Sequence, residues 1–253
     1  MTAELEGSVA IVTGAGGGIG ATCAEELAAR GAAVTVHYNS RKADAEALVA
    51  RIARGGGKAI AAQGDLTDPA AAKAVVAATV AAFGKIDVLV NNSGAMERAT
   101  LEEITPTLLL AQFQVNAFAP LYMMQAVLPH VPAEGGAFIN ITTNLTHAAM
   151  RGCVAYSAAK AALENMTVGF FKELGPRRIT VNAVAPGATR TAMTDAYMTP
   201  EIERTISERT PFGRMGETID IAEIVVFLAS PAARWMTGQS LLVDGGFTMS
   251  AFG

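Results

Sequence analysis

Short apolar runs alternate with longer stretches of helical character along the whole chain. Most helical stretches in the first half end at one or more glycines, and the next apolar run follows at once. Apolar strands that alternate with helices are typical of βαβ units, whose crossovers produce a parallel sheet. The expected strands are residues 9–13, 33–38, 58–63, 87–90, 137–142, 180–185 and 240–243, and the expected helices are residues 19–30, 41–54, 68–83, 105–128, 153–174 and 221–228. We therefore predict a single α/β domain over residues 1–253, with about seven parallel strands in a doubly wound sheet.

Residues 187–216 depart from this alternation, because they show no strong periodicity. A long irregular segment next to the carboxyl ends of parallel strands is commonly a loop that closes over a binding site. We therefore expect residues 187–216 to form a substrate lid.

A second unusual stretch, residues 104–133, has no Asp, Glu, Lys or Arg and is long enough to cross a bilayer. It is interrupted by polar residues and a proline that a lipid environment would disfavour: Gln112, Gln114, Asn116, Pro120 and Gln125. We expect instead a helix that is buried between the sheet and another subunit. Pro120 predicts a kink in this helix.

Composition and charge limit the classes of partner. Hydrophobic residues make up 51% of the chain and charged residues 17%, and the net charge is −4 without a basic run. This argues against nucleic acid and membrane surfaces as partners and for a small-molecule substrate. No histidine pair has metal-ligand spacing, so we expect no metal site. Cys23 and Cys153 lie in apolar surroundings, and residues 1–8 contain Glu4 and Glu6 without a signal-peptide pattern, so we expect a cytoplasmic protein.

The first strand leads into a glycine-rich turn, Thr13-Gly14-Ala15-Gly16-Gly17-Gly18-Ile19-Gly20, which opens the first helix. Glycines at such a place allow a tight turn and the close approach of a pyrophosphate to the backbone. The free amides and the dipole of the helix N-terminus favour an anion. We therefore predict a dinucleotide site here, although a glycine-rich turn without a ligand is the alternative.

The end of the second strand bears on the choice between NADP and NAD. NAD sites usually place an acidic residue there, but this chain has Asn39, Ser40 and Arg41, and no carboxylate before Asp44. Ser40 and Arg41 are suited to bind a 2′-phosphate, which favours NADP. A solvated Arg41 at a helix start is the alternative, which leaves NAD open.

An aspartate follows the third strand. Asp65 is suited to accept a hydrogen bond from the amino group of adenine, with Leu66 beside it. Alternatively Asp65 caps the next helix, a role for which Asp68 is an equally good candidate.

Tyr156 and Lys160 lie four residues apart in the expected helix 153–174 and therefore share one face. A neighbouring positive charge stabilises a phenolate, so we expect a lowered pKa for Tyr156. A tyrosine with a lowered pKa can donate and accept a proton near neutral pH. A surface pair without chemistry is the alternative.

With these motifs in this order, the chain resembles the short-chain dehydrogenase/reductase family from about Gly7 to Phe247, in its 3-oxoacyl reductase and carbonyl reductase branch. The resemblance rests on the glycine turn and on Asp65, Asn91-Asn92-Ser93-Gly94, Asn116, Tyr156 with Lys160, Pro186-Gly187 with Thr191, Gly238-Gln239 and Val243-Asp244-Gly245-Gly246.

The resemblance implies a Rossmann-type fold, a homotetramer and a set of site residues. The implied catalytic residues are Asn116, Thr143, Tyr156 and Lys160. The implied cofactor residues are Gly14, Gly18, Ile19, Gly20, Asn39, Ser40, Arg41, Asp65, Leu66, Asn92, Ser93, Gly94, Tyr156, Lys160, Pro186, Gly187, Thr189 and Thr191. In these roles Tyr156 exchanges a proton with the substrate oxygen, Lys160 holds the nicotinamide ribose, and Asn116 holds a water that links Lys160 to solvent.

The chain departs from the family at Thr143, where the family has a serine. Threonine keeps the hydroxyl that can donate to a carbonyl oxygen, but its methyl group narrows the site. Thr142 and Asn144 are neighbours that can share this task.

The expected substrate residues are Met96, Asn144, Met150, Met193 and Met198. Methionines at a cleft favour an apolar substrate of adaptable shape, although methionines that only fill core gaps are the alternative.

The leading functional hypothesis is an NADP-dependent oxidoreductase for a ketone and secondary alcohol pair, with a 3-oxoacyl substrate as one option. An NAD-dependent alcohol dehydrogenase of the same family and a non-catalytic dinucleotide sensor are the alternatives. For the tetramer we expect two interfaces, one from residues 104–133 and the helix that starts at Cys153, and one from residues 240–243 and the apolar tail 247–252.

Overall fold

The sheet of the computed structural model, which describes residues 4–252, is parallel throughout. Within those residues seven strands lie in the order β3-β2-β1-β4-β5-β6-β7. They are β1 (Val9–Val12), β2 (Ala33–Tyr38), β3 (Lys58–Gln63), β4 (Val88–Asn91), β5 (Gly136–Ile141), β6 (Ile179–Pro186) and β7 (Ser240–Val243). The strand order reverses direction between β1 and β4, the position at which doubly wound sheets form a ligand crevice. The predicted fold class is confirmed.

Helices cover both faces of the sheet. They are α1 (Gly18–Ala29), α2 (Lys42–Arg54), α3 (Pro69–Phe83), α4 (Pro106–Phe113), α5 (Ala119–Val127), α6 (Val154–Leu174), α7 (Ala192–Asp195), α8 (Pro200–Arg209) and α9 (Thr218–Ala229). On one face α1, α2 and α9 bury an apolar cluster that includes Leu27, Leu48 and Val225. On the other face α3 and α5 bury a second cluster with Val76 and Met123.

The expected helix 105–128 is interrupted. It consists of α4, a π-helical turn at Gln114–Phe118, and α5, followed by a short 3₁₀ turn at Leu128–His130. Pro120 has no N–H to donate to the carbonyl of Asn116, four residues earlier, so regular α-helical bonding cannot continue through this point. The interruption therefore falls in the turn that carries Asn116, and π-helical turns of this kind are frequent at functional sites.

The expectation that residues 187–216 lack periodic structure was wrong, since α7 and α8 lie within them. The Thr199 hydroxyl accepts a hydrogen bond from the Ile202 backbone N–H at 3.3 Å, and Pro200 occupies the first turn of α8. Both residues are helix-start signals in the sequence. Ile202 and Ile206, four residues apart, give α8 one apolar edge.

The helix expected at 221–228 begins three residues earlier, at Thr218. The Asp220 carboxylate accepts a hydrogen bond from the Glu217 backbone N–H at 2.7 Å and so caps this end. Among the described residues, no helix combines the length and the apolar character that a membrane crossing requires.

Candidate active site

A cavity of about 790 Å³ runs along the carboxyl ends of the strands. Its walls come from the loops that follow β1 through β6, together with α8 and Phe247. Loops that follow parallel strands meet at one edge of the sheet, so residues far apart in the sequence converge there. The cavity has a polar end at Asn39 and Asp65 and an apolar end at Ile202 and Ile206.

Hydrogen bonds hold the glycine turn to the end of β4. The Thr13 hydroxyl accepts from the backbone N–H groups of Asn92 and Ser93, each at 2.9 Å. The Asn92 amide donates to the carbonyl oxygens of Thr13, at 2.9 Å, and Gly14, at 3.2 Å. The turn and the β4 loop therefore form one wall, and six predicted cofactor residues line the cavity there: Gly14, Gly18, Ile19, Asn92, Ser93 and Gly94.

Gly20, another predicted cofactor residue, differs from these. It is buried and does not line the cavity. A Cβ atom at Gly20 would lie 2.4 Å from Nδ2 of Asn92 and 2.8 Å from the Gly14 carbonyl oxygen. Glycine at this position lets the first turn of α1 pack directly against the glycine turn, so its role is packing.

A buried histidine that the sequence analysis did not select supports this wall. Nδ1 of His37 accepts a hydrogen bond from the Gly14 backbone N–H at 3.1 Å, and Nε2 lies 3.0 Å from the Gly64 carbonyl oxygen. These two bonds require the neutral ring with its proton on Nε2. Burial lowers the pKa of His37, which favours this neutral form. His37 thus joins the loops after β1 and β3, and only the three-dimensional arrangement reveals this.

Arg41 lies across the glycine turn. A Cβ atom at Gly17 would be 2.6 Å from Nη1 of Arg41, and one at Gly16 would be 3.0 Å from its Cβ. The Arg41 side chain is half exposed, and its Nε is 3.2 Å from the Asp44 carboxylate. Asn39 and Ser40 line the same end of the cavity. This end therefore offers a cation and hydroxyl and amide groups.

Asp65 and Leu66, two of the predicted cofactor residues, also line the polar end. One oxygen of the Asp65 carboxylate accepts from the backbone N–H and the hydroxyl of Thr67, at 3.0 and 2.8 Å. The N-cap of α3 is Asp68, whose carboxylate accepts from the Ala70 backbone N–H at 2.8 Å. Asp65 is therefore not the helix cap, and its side chain faces the cavity.

Tyr156, in the first turn of α6, is 8% exposed and lines the cavity beside Thr143. Burial raises the pKa of Tyr156, and the nearby Thr143 side chain only partly opposes that rise. The expected lowering of the Tyr156 pKa by Lys160 was therefore wrong for this structure. Desolvation of the phenol has a larger effect on this pKa than the neighbouring groups have. Tyr156 is therefore neutral and can act as a proton donor.

Lys160 lines the cavity but is almost completely buried. Its ammonium group donates a hydrogen bond to the Ile141 carbonyl oxygen at 2.7 Å. Burial lowers the pKa of Lys160 to about 8. The ammonium group therefore stays charged at neutral pH and is anchored at the carboxyl end of β5.

Asn116 does not line the cavity but supports its wall. Its amide donates to the carbonyl oxygens of Ala95, at 2.8 Å, and Gln112, at 2.9 Å, and its Oδ1 accepts from the Ala95 N–H at 3.2 Å. Asn116 thus fixes the β4 loop against the π-helical turn.

Further predicted cofactor residues come from the segment after β6. Pro186, Gly187, Thr189 and Thr191 all line the cavity. The Thr191 hydroxyl accepts from the Thr194 N–H at the start of α7, at 3.4 Å, so this short helix is capped at its start.

The apolar end contains three of the four predicted methionines, Met96, Met150 and Met193, together with Asn144. Met198 does not line the cavity, whereas its neighbour Tyr197, in the turn that follows α7, does. The sequence analysis also missed Arg98, Leu145, Ile202, Ile206 and Phe247. The four-residue spacing of the two isoleucines was the available signal for α8.

The remaining observations concern His147 and metal ions. Nε2 of His147 lies 3.0 Å from the Glu164 carboxylate, and His147 does not line the cavity. Over residues 4–252, no group of three or more His, Cys, Asp or Glu side chains is placed to hold a metal ion.

Comparisons with known proteins agree with this geometry over almost the whole chain. A family model described as enoyl-(acyl carrier protein) reductase matches residues 14–248. An uncharacterized oxidoreductase of Methylorubrum extorquens is 45% identical over 245 residues, which cover 96% of this chain and 98% of that protein. Versicolorin reductase 1 of Aspergillus parasiticus is 35% identical over 257 residues, which cover 96% of this chain and 97% of that protein.

A solved structure has the same fold and a bound cofactor. The angucycline C-6 ketoreductase LanV, crystallised with NADP, is 37% identical and superposes with a TM-score of 0.92 over 98% of both chains.

Proposed function

Because the chain belongs to the short-chain dehydrogenase/reductase family, we propose that it is an NADP-dependent ketoreductase of apolar ketones. It is an NAD(P)-dependent oxidoreductase, as the family relationship requires. The choice of NADP, the substrate class and the reductive direction are the proposed parts.

The observation that carries this proposal is the continuity of the cavity. A polar end with Arg41, a central group with Tyr156 and Thr143, and an apolar end with Met150 and Ile206 share one space. A dinucleotide and an apolar substrate can therefore lie end to end with their junction at Tyr156. This arrangement supports chemistry between a bound cofactor and a bound ketone.

NADPH, when bound, supplies the hydride for the carbonyl carbon. Tyr156, which burial keeps protonated, donates its phenolic proton to the developing alkoxide. The Thr143 hydroxyl is placed to donate a hydrogen bond to the same oxygen. The charged Lys160 ammonium is the group suited to bind the nicotinamide ribose. In this proposal Asn116 is a positioning residue, because its contacts are with the backbone of Ala95 and Gln112.

The preference for NADP is supported by the chemistry of the polar end. Ser40 and Arg41 provide a hydroxyl and a guanidinium group, and a guanidinium binds phosphate in a bidentate manner. The first carboxylate in the sequence after β2 is Asp44, and it pairs with Arg41 itself. Asp44 therefore does not take the place of the acidic residue that ends the second strand in an NAD site. The similar ketoreductase LanV binds NADP.

A free apolar ketone is favoured over a carrier-linked acyl group. The similar proteins named above include a versicolorin reductase and an angucycline C-6 ketoreductase. Three basic residues that could meet an acidic carrier protein, Lys172, Arg177 and Arg178, lie at the end of α6 and just before β6. That edge of the sheet is opposite the cavity, so these residues do not flank the substrate. A 3-oxoacyl substrate is the second option.

The test is NADPH oxidation by the purified protein with a panel of tetralones and a 3-oxoacyl thioester, repeated with NADH. We expect turnover of the tetralones, and a higher kcat/KM for NADPH than for NADH. If the protein binds NADPH but none of these ketones causes its oxidation, the proposal is contradicted. Faster turnover with NADH than with NADPH would contradict the cofactor preference.

We also propose a homotetramer in the cytoplasm. Leu109 and Leu110 on α4 and Val154 and Val168 on α6 are exposed apolar side chains on two helices that pack together, which supports the first expected interface. The second expected interface includes residues 251 and 252, whose side chains lie outside the described part. Both cysteines are free and buried, as suits a reducing compartment. Sedimentation at micromolar concentration tests the assembly, and a monomer would contradict it.

A further inference from the structure

The substrate end of the cavity contains a positive charge that the proposed reaction does not use. Four charged side chains line the cavity within the described residues: Arg41, Asp65, Arg98 and Lys160. The first two lie at the polar end, and Lys160 is almost completely buried, with its ammonium group bonded to the Ile141 carbonyl oxygen. Arg98, in the loop between β4 and α4, is therefore the charge that a substrate meets.

Arg98 is held in a defined position. Its Nη2 donates a hydrogen bond to the Arg151 carbonyl oxygen at 3.1 Å, and its guanidinium carbon lies 5.7 Å from the centre of the Tyr197 ring. The Ala99 backbone N–H donates to the Gly152 carbonyl oxygen at 2.9 Å, which ties the same two loops together. A guanidinium that is fixed on an aromatic face is preorganised for a ligand, since less rotamer entropy is lost on binding.

The charge of Arg98 is not neutralised by the protein. Across residues 4–252, no Asp or Glu carboxylate lies within 4.0 Å of its guanidinium. A guanidinium has five N–H donors, and the hydrogen bond to Arg151 uses one of them. The field of Arg98 reaches the neighbouring groups, because it opposes the rise that burial causes in the pKa values of Cys153 and Tyr197.

The rest of this end is apolar, with Met150, Met193, Ile202 and Ile206 on its walls. A cation at the edge of an apolar cavity fits a ligand with an apolar body and one anionic group. We propose that Arg98 determines substrate specificity, and that the enzyme prefers ketones that carry a carboxylate or an ionised phenol. This inference rests on the proposed ketoreductase function and names its substrate class.

The test uses two tetralones of matched size, one with a carboxylate and one with a primary carboxamide on the ring that does not carry the carbonyl. Wild-type enzyme should favour the carboxylate by about tenfold in kcat/KM, mainly through KM, as expected for a partly exposed charge-assisted hydrogen bond. The preference should decrease in 1 M salt, because added ions screen an exposed charge.

Variants assign the preference to one side chain. Arg98→Gln should abolish the preference while it leaves kcat/KM for the carboxamide within about threefold, and Arg98→Lys should retain part of it. Arg151→Gln is the matched control, because it removes a neighbouring charge that does not line the cavity. It should keep the preference. Thermal unfolding of each variant checks that the loop contact to Arg151 is not essential for folding.

Two results would overturn the inference. One is equal kcat/KM for both ketones in the wild type, and the other is an equal loss for both in Arg98→Gln, which would indicate a structural role. Turnover of the carboxamide reports on the ketoreductase function independently of Arg98. If neither ketone is reduced, calorimetric titration of the two tetralones into the NADP complex still decides the question, since Arg98→Gln should weaken binding of the carboxylate alone by about tenfold.

Discussion

The two ends of the cavity differ in what fixes their side chains. At the cofactor end, Thr13, His37 and Asn92 make hydrogen bonds to the backbone of neighbouring loops. At the substrate end, the walls are flexible methionines and the isoleucines of α8. The cofactor end is therefore preorganised by strand ends, while the substrate end depends on side chains that can change rotamer.

This difference between the two ends suits the two kinds of ligand that the cavity is proposed to bind. A dinucleotide has a constant shape, so a rigid polar site loses little entropy on binding it. Substrates vary, and an apolar wall of Met and Ile adapts to several shapes. Substitutions at the cofactor end should therefore have large and specific effects, and those of the apolar side chains at the substrate end small and general ones.

The largest effect is expected at the junction of the two ends. Tyr156→Phe removes the proton donor and keeps the ring, so turnover should fall by at least about 100-fold, while the Kd for NADPH stays nearly constant. Steady-state kinetics and fluorescence titration of NADPH measure the two quantities. Tyr122→Phe, outside the cavity and packed on the core, is the control. Near-normal turnover of Tyr156→Phe would remove this residue from the proposed role.

The next effect concerns stability. Lys160→Met removes a buried charge whose pKa is about 8 in the folded protein, against 10.5 for an ordinary lysine. Below pH 8 the ammonium group is charged in both states, and its desolvation disfavours the folded protein. The variant should therefore be more stable by about 2 kcal/mol at pH 7, after the lost bond to Ile141 is included.

The pH dependence of this difference in stability tests whether the Lys160 charge causes it. Between pH 8 and 10.5 the unfolded wild type binds more protons than the folded protein, so the wild type gains stability relative to the variant. The gap in free energy of unfolding, measured by urea denaturation, should therefore close as the pH approaches 10.5. A gap that stays constant across this range would show that the charge is not its cause.

The third effect concerns cofactor choice. Arg41→Ala removes the cation at the proposed 2′-phosphate site, and the Kd for NADPH should rise by about tenfold while that for NADH changes less than twofold. Lys42→Ala is the matched control, since Lys42 is exposed, pairs with Glu46 at 3.8 Å and does not line the cavity. Equal losses for both cofactors would contradict the assigned role.

A smaller effect is expected from His37. When its Nδ1 is protonated it cannot accept from the Gly14 N–H, and the Asp65 carboxylate is the charged group near it. The pKa of His37 is lowered in the folded protein. The neutral ring therefore contributes to the stability of the fold above pH 6.5, the ordinary pKa of histidine. This contribution is lost as the pH falls through 6.5 and below it. Affinity for NADH, which has no titrating 2′-phosphate, should fall several-fold over the same range.

His37→Gln should lower NADH affinity at pH 7.5 and flatten its pH profile. His147→Gln, which changes an exposed histidine paired with Glu164, should preserve the wild-type profile. An unchanged profile in His37→Gln would refute the role of His37 in holding Gly14.

The smallest effects are expected from the apolar walls of the substrate end. Met150→Leu and Met193→Leu nearly conserve volume, so kcat/KM across a ketone panel should change by less than about threefold. A selective loss of more than tenfold for one ketone would indicate that these walls are as specific as the cofactor end, and the contrast between the two ends would no longer hold.

The sequence by itself determined the parallel sheet and most of the cofactor end. Apolar runs, glycine stops and the Thr13–Gly20 turn are local signals, and strand ends place Asn39, Asp65 and Asn92 at one edge. The position of Tyr156 and Lys160 on one helix face also followed from spacing alone.

Only the tertiary structure decided the remaining features. Burial, which depends on every element around a group, raises the pKa of Tyr156 although a lysine lies four residues away. Gly20 packs against Asn92, the His37 ring accepts a hydrogen bond from Gly14, and the Arg98 guanidinium packs over the Tyr197 ring. Each contact joins segments that are distant in the chain. Solvation and long-range contacts are properties of the assembled molecule, so no local pattern of residues contains them.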